Sequence, residues 1–205
     1  DDPTAKNFPG KEFKDRPSIE VMGQKQVDVE VTHEEGVYVG YRYYSTFGVK
    51  PEYEFGYGLS YTEFTYSDLK LNSATFTDKL TASVTVTNSG KTSGKEVVQL
   101  YLSAPTSKLD KPSSELKGFV KTTLLKPGES QTVTFTLTAR DLASYQTKIN
   151  SWVADAGNYT VKIGTSQTAK QSASFKLAKE IVVEKTNKVL GPKVAITELK
   201  PSVKK

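Results

Sequence analysis

The sequence contains no cysteine, a single histidine and three arginines, and each scarcity excludes a class of site. Without cysteine there can be no disulfide, thiolate metal cluster or cysteine nucleophile. A Ser-His-Asp triad or a histidine-based metal site would have to use His33, which stands in no recognisable motif. No apolar run approaches the length of about 18 residues that a membrane-spanning helix needs. The sequence therefore predicts no cofactor, no metal and no membrane insertion, and we expect His33 to be exposed or hydrogen-bonded rather than catalytic.

The net charge of +5 is concentrated at one end of the chain, because residues 179–205 hold seven lysines and three glutamates. The remaining charges are nearly balanced, and the arginines are dispersed rather than clustered. Nucleic-acid binding normally requires a basic patch or stripe, so no nucleic-acid partner is predicted. We interpret residues 179–205 as an extended, solvated strap, with one added strand at Ile181-Val182-Val183. A weaker alternative is attachment to a polyanion or a cell wall through these lysines.

Apolar and polar residues alternate in five runs between Tyr66 and about Leu177, as in half-buried strands. Turn sequences separate the runs, among them Lys126-Pro127-Gly128 and Asp155-Ala156-Gly157-Asn158. This spacing predicts a mainly β fold, an antiparallel β-sandwich of the immunoglobulin-like class. The alternating apolar positions are Ala82, Val84 and Val86; Val98, Leu100 and Leu102; Val133, Phe135 and Leu137; Tyr159, Val161 and Ile163; and Ala173, Phe175 and Leu177.

Local signals refine this prediction. The run Asp155-x-Gly157-x-Tyr159 resembles the tyrosine corner of such sandwiches, in which the phenol hydroxyl bonds to nearby backbone. Trp152, the only tryptophan, is expected in the core rather than as a ligand platform. The segment 139–145 is the one place where a short helix is expected. The absence of cysteine favours the fibronectin type III-like branch of the class over the disulfide-bonded immunoglobulin branch.

The N-terminal third has a different character. Residues 1–31 are irregular and are expected to lie across another surface. Residues 36–44 are β-branched and aromatic, which predicts a buried strand. Residues 51–61 form an aromatic loop punctuated by Gly56 and Gly58. Because the rings of such a loop need a partner surface, the loop indicates an interface.

Paired carboxylates were considered as glycosidase catalysts, because retaining and inverting enzymes both use two acids. Glu52 and Glu54 would share a face in an extended segment, whereas the adjacent pairs 34–35 and 1–2 would diverge. Such pairs arise by chance in a chain with 23 acidic residues. Glu35 is expected to pair with Arg42 or to cap a loop. The residues alone therefore indicate a β-sandwich with an aromatic N-terminal extension and no active site.

Several ordered motifs resemble family 3 glycoside hydrolases. The matching strings are Asn7-Phe8-Pro9-Gly10, the aromatic segments 35–44 and 55–64, Glu115-Leu116-Lys117-Gly118-Phe119, Leu125-Lys126-Pro127-Gly128-Glu129 and Trp152-x-x-Asp155-x-Gly157-x-Tyr159. Their order resembles the junction between the second catalytic domain of that family and its C-terminal fibronectin type III-like domain. The family's catalytic aspartate and glutamate lie upstream of this region. Ser67-Asp68-Leu69 is the nearest string to the nucleophile motif, but it lacks the aromatic residue and opens the sandwich.

The resemblance implies three segments: residues 1–64 as the end of an α/β sandwich domain plus an aromatic crossover, 65–178 as the fibronectin type III-like domain, and 179–205 as the strap. It implies the C-terminal part of a retaining exo-β-glycosidase, in particular a β-glucosidase that releases terminal β-D-glucose. This chain would be inactive alone, would contain no catalytic residue, and would support the barrel and α/β sandwich domains that act on β-linked glucosides. The residues expected at that interface are Tyr41, Arg42, Tyr43, Tyr44, Phe55, Tyr57 and Tyr61.

Localisation, oligomeric state and an alternative function are also matters of expectation from the sequence. The resemblance and the missing initiator methionine imply a secreted or periplasmic protein, and a homodimer is left open. The rival hypothesis is a non-catalytic carbohydrate-binding or adhesion module, since the 11 tyrosines could stack on sugars. A flat row of exposed rings would favour the module, and rings buried against another polypeptide would favour the supporting role.

Overall fold

The computed structural model describes residues 3–166, 170–189, 191–192 and 194–201. The acidic pair at residues 1–2 and the lysines at 193, 204 and 205 lie outside the described residues. The chain begins with a 3-10 helix at Pro3–Asn7. Two short helices follow, α1 (Tyr41–Phe47) and α2 (Ala139–Leu142). The strands are β1 (Lys11–Glu12), β2 (Ile19–Val21), β3 (Gln24–Gln26), β4 (Val29–Glu30), β5 (Phe64–Leu71), β6 (Thr75–Phe76), β7 (Lys79–Asn88), β8 (Val97–Ser103), β9 (Glu115–Lys121), β10 (Ser130–Thr138), β11 (Ser144–Gln146), β12 (Ser151–Ala154), β13 (Gly157–Gly164), β14 (Gln171–Leu177) and β15 (Ile181–Lys185).

Two sheets form the sandwich. The three-stranded sheet has the order β10-β7-β5, and the five-stranded sheet has the order β6-β14-β13-β8-β9. Pairing is antiparallel except where β6 meets β14. The inward-facing side chains of Val84, Leu100 and Val161 are completely buried in one hydrophobic cluster. This arrangement confirms the predicted mainly β sandwich, because each strand carries its apolar residues on the face toward the opposite sheet.

The tyrosine corner is present. The hydroxyl of Tyr159 donates a hydrogen bond of 2.7 Å to the backbone carbonyl of Asp155. The carboxylate of Asp155 is bound by the ammonium of Lys111 at 2.7 Å and by the side-chain amide of Gln146 at 3.1 Å. The corner therefore ties the start of β13 to the loop before β9.

The prediction of a buried strand over residues 36–44 is wrong. Residues 35–38 form a turn closed by the Tyr38 amide, which donates to the carbonyl of Glu35 at 3.0 Å. Helix α1 follows between Gly40 and Gly48, and Gly48 ends it in the left-handed conformation with a φ of 67°. On this short helix the rings of Tyr43 and Phe47, four residues apart, lie 5.0 Å from each other.

The strap carries the added strand that the sequence predicts. Strand β15 pairs with β12, which with β11 makes a small third sheet. Trp152 on β12 is partly buried against the core, and the guanidinium of Arg140 lies 4.4 Å from its ring centre. Farther along, the amide of Leu199 donates to the carbonyl of Glu34 at 2.7 Å, so the strap returns to the N-terminal segment.

Candidate interface

The crossover segment, residues 36–61, lies on the sandwich through hydrogen bonds to the beginning of β9. The Tyr41 hydroxyl accepts a bond of 2.9 Å from the backbone amide of Leu116. The Thr46 hydroxyl accepts one of 2.9 Å from the amide of Ser113. Leu116 lies on the edge strand β9 and Ser113 lies in the loop before it, so helix α1 satisfies two backbone amides that would otherwise need water.

A second set of contacts fixes the loop that follows α1. The Ser166 hydroxyl donates to the carboxylate of Glu54 at 2.6 Å. Gly56 has a φ of +94°, and a Cβ placed there would overlap the side-chain amide of Gln99 and the carbonyl of Thr165. Only glycine allows the backbone to approach β8 so closely in this conformation.

The crossover segment thereby covers the outer face of β8. Gln99 and Tyr101 point away from the sandwich core, yet they are only 5% and 0% exposed. The ring of Tyr41 meets that of Tyr101 edge-on at 5.7 Å, and the Tyr101 hydroxyl donates to the side-chain carbonyl of Gln99 at 2.6 Å. Alternation alone predicts a half-buried strand, but β8 is buried on both faces.

Burial changes the chemistry of two tyrosines at this contact, Tyr101 on β8 and Tyr38 in the crossover segment. Desolvation, reinforced by the nearby Tyr41 and Glu54, raises the pKa of Tyr101 to about 12. Desolvation also raises the pKa of Tyr38, which lies edge-on to Phe47 at 5.2 Å. These phenols remain neutral at physiological pH and act as packing and hydrogen-bonding groups rather than as acids.

The outer side of the crossover segment is apolar and exposed. Phe55 and Tyr57 are more than half exposed, and Tyr61 is 95% exposed. Tyr53 and Leu59 lie on the same loop with exposed fractions of 66% and 86%. Neither of these last two is one of the seven residues expected at the interface, although their position in the same aromatic loop is a signal that points to them.

The structure divides the seven expected interface residues into three groups. Tyr41 and Arg42 contact the sandwich directly, since the Arg42 guanidinium lies 3.4 Å from the carboxylate of Glu115. Tyr43 and Tyr44 are half-buried on α1. The exposed members are Phe55, Tyr57 and Tyr61. Their contact with catalytic domains stays a prediction.

Three of the carboxylates considered as catalysts, Glu34, Glu35 and Asp68, each have a local partner of their own. Glu35 lies 2.8 Å from the imidazole of His33, whose side chain is largely exposed, while Arg42 pairs with Glu115 rather than Glu35. Asp68 accepts a bond of 2.9 Å from the neighbouring Ser67 at a bulge in β5. Hydrogen bonds from Lys6 and Asn7 lower the pKa of Glu34.

Within the described residues, no group of three or more histidines, aspartates or glutamates is arranged to hold a metal ion. The same part of the chain contains no helix that is both long and apolar enough to cross a membrane.

Comparison with known protein families gives the sandwich its class. Residues 96–167 match the model of the fibronectin type III-like domain. This match confirms the fibronectin type III-like prediction for the central part of the sandwich.

Comparison with individual proteins extends the similarity across most of the chain. The sequence is 43% identical over 202 residues to β-glucosidase A of Butyrivibrio fibrisolvens, covering 88% of this chain and 24% of that protein. The solved structure of β-glucosidase 3B from Thermotoga neapolitana matches with a TM-score of 0.69 and 49% identity, covering 74% of this chain and 21% of that one. The GH3 β-glucosidase of Bifidobacterium adolescentis matches with a TM-score of 0.73 and 36% identity, covering 86% and 24%. The chain thus spans about a quarter of the length of the relatives it matches.

Proposed function

Because the chain is similar to the C-terminal, fibronectin type III-like part of family 3 β-glucosidases, we propose that it is the supporting part of such an enzyme. In this proposal the catalytic barrel and most of the α/β sandwich domain belong to the part of the relatives' length that the chain does not span, and residues 1–64 are the end of that α/β domain plus the crossover. The whole enzyme is a retaining exo-β-glycosidase that hydrolyses β-linked glucosides. Its site of action, as a further part of the proposal, is the periplasm or the cell exterior.

One observation carries the supporting role. The crossover segment has two sides, of which one is anchored on β8 and β9 while the other exposes a row of apolar side chains. Exposed apolar patches rimmed by polar residues are typical of protein–protein contact sites. The exposed side is therefore proposed to face the catalytic domains, and in an isolated chain the same side would drive homodimerisation.

The geometry of the exposed rings favours this role over the rival carbohydrate-binding module. Tyr53 and Tyr57 lie 4.9 Å apart, but their planes are tilted by 41°. A flat row of rings is the arrangement that would stack on a sugar chain. Tilted rings interdigitate with side chains of a second protein surface.

Hydrolysis of an aryl β-glucoside tests the proposal. The chain alone, the longer polypeptide that contains it and a mock preparation are assayed together. We expect turnover only with the longer polypeptide. Turnover by the isolated 205 residues above the mock level would overturn the proposal, and Glu35, Glu52, Glu54 and Asp68 would then be the first carboxylates to replace.

A pair of variants in the longer polypeptide tests the contact itself. Replacing Tyr57 and Leu59 with serine removes exposed rings and methyl groups that do not support the sandwich. The matched control is Val182→Ser, at a similarly exposed position on β15. We expect only the first variant to lower both the thermal midpoint and the hydrolytic activity. Equal effects of the two variants would contradict the proposed contact.

A further inference from the structure

A cleft separate from the exposed aromatic row lies where the crossover segment meets the small sheet. It has a volume of about 370 Å³. The size falls within the range of about 300–1,000 Å³ found for small-molecule sites. Its main polar and aromatic lining residues are Arg42, Asp110, Glu115, Lys117, Tyr145 and Trp152. This space is called the junction cleft below.

The charges of the junction cleft are balanced. The carboxylate of Glu115 lies between two cations, 3.4 Å from Arg42 and 3.3 Å from Lys117. Asp110 adds a second, exposed carboxylate. Lys111 also lines the cleft, but its ammonium is neutralised by the buried carboxylate of Asp155. Two cations therefore oppose two anions, and the cleft offers an ionic ligand little net attraction.

Arg42 brings hydrogen-bond donors to the cleft. Its side chain is 38% exposed, and one of its Nη atoms faces Glu115. The Nε is itself buried without a partner among the described residues, so the donors open to a ligand are those at the end of the guanidinium. A ligand hydroxyl group can accept from such a donor and at the same time donate to a carboxylate such as Asp110.

An apolar wall completes the site. Tyr145 and Trp152 meet edge-on, with ring centres 5.6 Å apart, and the face of Trp152 toward Arg140 is occupied. One face of Trp152 is therefore unavailable to a ligand in the cleft. The lining combines donors, acceptors and an apolar side around a volume that accommodates a sugar ring.

From this lining we propose that the junction cleft binds a neutral sugar unit, held by hydroxyl contacts to Arg42, Lys117 and Asp110 beside the wall of Tyr145 and Trp152. The site goes beyond the supporting function, because it requires neither catalysis nor a preceding domain. It gives the sandwich a carbohydrate contact of its own, lined by none of the aromatic residues proposed to face the catalytic domains.

Trp152 is the only tryptophan in the chain, so its fluorescence and its indole N–H resonance report directly on this cleft. The isolated chain is titrated with glucose, cellobiose and cellotetraose, and with glucuronate as an anionic comparison. We expect a saturable change with at least one neutral sugar and none with glucuronate. No saturable change with any of the three neutral sugars, or a change with glucuronate alone, would overturn the proposal.

Two pairs of variants separate a local site from a general effect. Lys117→Met and Asp110→Ala, the first pair, remove hydroxyl partners in the cleft, and their matched controls are Lys121→Met on the same strand and Asp78→Ala at an exposed bend before β7. Loss of one such hydrogen bond is expected to weaken binding about fivefold in the first pair. The controls are expected to bind like the parent, and thermal midpoints verify that all four variants fold. Affinities in the first pair that equal those of the matched controls would overturn the proposal, and because hydrolysis is not measured, failure of the supporting function would leave these readings intact.

Discussion

The ion pair between Lys111 and Asp155 is the most deeply buried charge pair in the part of the chain that the structure describes, with side chains 3% and 2% exposed. Its desolvation is offset by a short contact and by the bond from Gln146 to the second carboxylate oxygen. Such a pair adds little net stability over apolar residues of the same size, but removal of one partner leaves a buried charge without compensation. Replacing either Lys111 or Asp155 alone is therefore expected to destabilise the contact between the sandwich and the loop before β9.

Lys111→Met is expected to lower the free energy of unfolding by about 3–5 kcal/mol, because Asp155 would keep its buried charge without a counterion. Urea unfolding monitored by Trp152 fluorescence measures the change. Lys108→Met is the matched control, since Lys108 pairs with Glu180 at the exposed surface. The control is expected to unfold at the same urea concentration as the parent. Equal effects of the two replacements would contradict the importance of burial.

The hydroxyl of Tyr159 has a different role, because it closes the corner through a neutral hydrogen bond to the carbonyl of Asp155. Tyr159→Phe keeps the buried ring, which is stacked on Phe175 at 5.4 Å. The lost bond and the unsatisfied carbonyl together are expected to cost about 1–2 kcal/mol of unfolding free energy. Chemical denaturation tests this, and an unchanged midpoint would show that the corner hydroxyl is dispensable here.

Buried tyrosines also make the stability depend on alkaline pH. Burial raises the pKa of Tyr66 and Tyr159, and raises that of Tyr101 from 10.0 to about 12. In each case the folded state holds the phenolic proton more tightly than the unfolded state does. The contribution of each tyrosine to the free energy of unfolding is therefore complete below pH 10 and declines above it. For Tyr101 the decline ends near pH 12.

Between pH 10 and 12 each of these tyrosines is expected to reduce the unfolding free energy by about 1.4 kcal/mol per pH unit. Urea unfolding at intervals from pH 8 to 11.5 measures the slope. Tyr101→Phe removes one ionisable group and is expected to make the slope shallower, whatever its effect on stability at pH 8. A stability that is flat above pH 10 would contradict the burial of these phenols.

At the scale of elements, the loop after α1 depends on one glycine. Gly56→Ala would bring a methyl group into Gln99 and Thr165 at a φ that side chains rarely adopt. The loop must then lift from β8, which is expected to accelerate amide exchange at Gln99 and Tyr101 and to lower stability by about 1–3 kcal/mol. Hydrogen exchange followed residue by residue measures both effects.

Gly58→Ala is the matched control for this prediction. A Cβ at Gly58 has no heavy atom within 4 Å, so the added methyl group meets open space. Exchange at β8 is expected to remain at the parent level in this variant. Faster exchange in both variants would show that the protection of the β8 amides depends on loop flexibility rather than on the close approach of the loop to β8.

Some elements could be predicted from local sequence and others could not. The strands of the sandwich follow from alternation, since the side-chain period of two directs residues such as Val84 and Val161 to the core. Helix α1 was missed because its aromatic composition also fits a strand, and only its contact with Leu116 and the flanking glycines decide the outcome. The burial of Tyr101 was not predictable from β8 itself, because the cover comes from residues much earlier in the chain.

For the whole molecule, the exposed row on the crossover segment sets the solution behaviour. Replacing Tyr57, Leu59 and Tyr61 with serine removes apolar surface without touching the sandwich core. The isolated chain is expected to lose concentration-dependent self-association while its thermal midpoint stays unchanged. Analytical ultracentrifugation and thermal unfolding measure the two properties.

The control variant for self-association carries serine in place of Val182 and Val189, which are exposed positions on β15 and after it. These changes remove apolar surface elsewhere and are expected to leave association as in the parent. If self-association persists in the triple variant, or disappears equally in the control, the self-associating surface is not confined to the crossover segment. Either result would remove the main argument for a partner at this row.

The bond from Leu116 to Tyr41 joins residues 75 positions apart. A ribosome that adds roughly 5–20 residues per second needs on the order of 4–15 s to cover that interval. Throughout this time the aromatic crossover segment has emerged or is emerging, while the strands that receive its inner side have not yet been made. The inner side of the segment, which includes Tyr41, therefore has no partner strands until β9 has been synthesised, and a pause in translation within this interval lengthens its exposure to water.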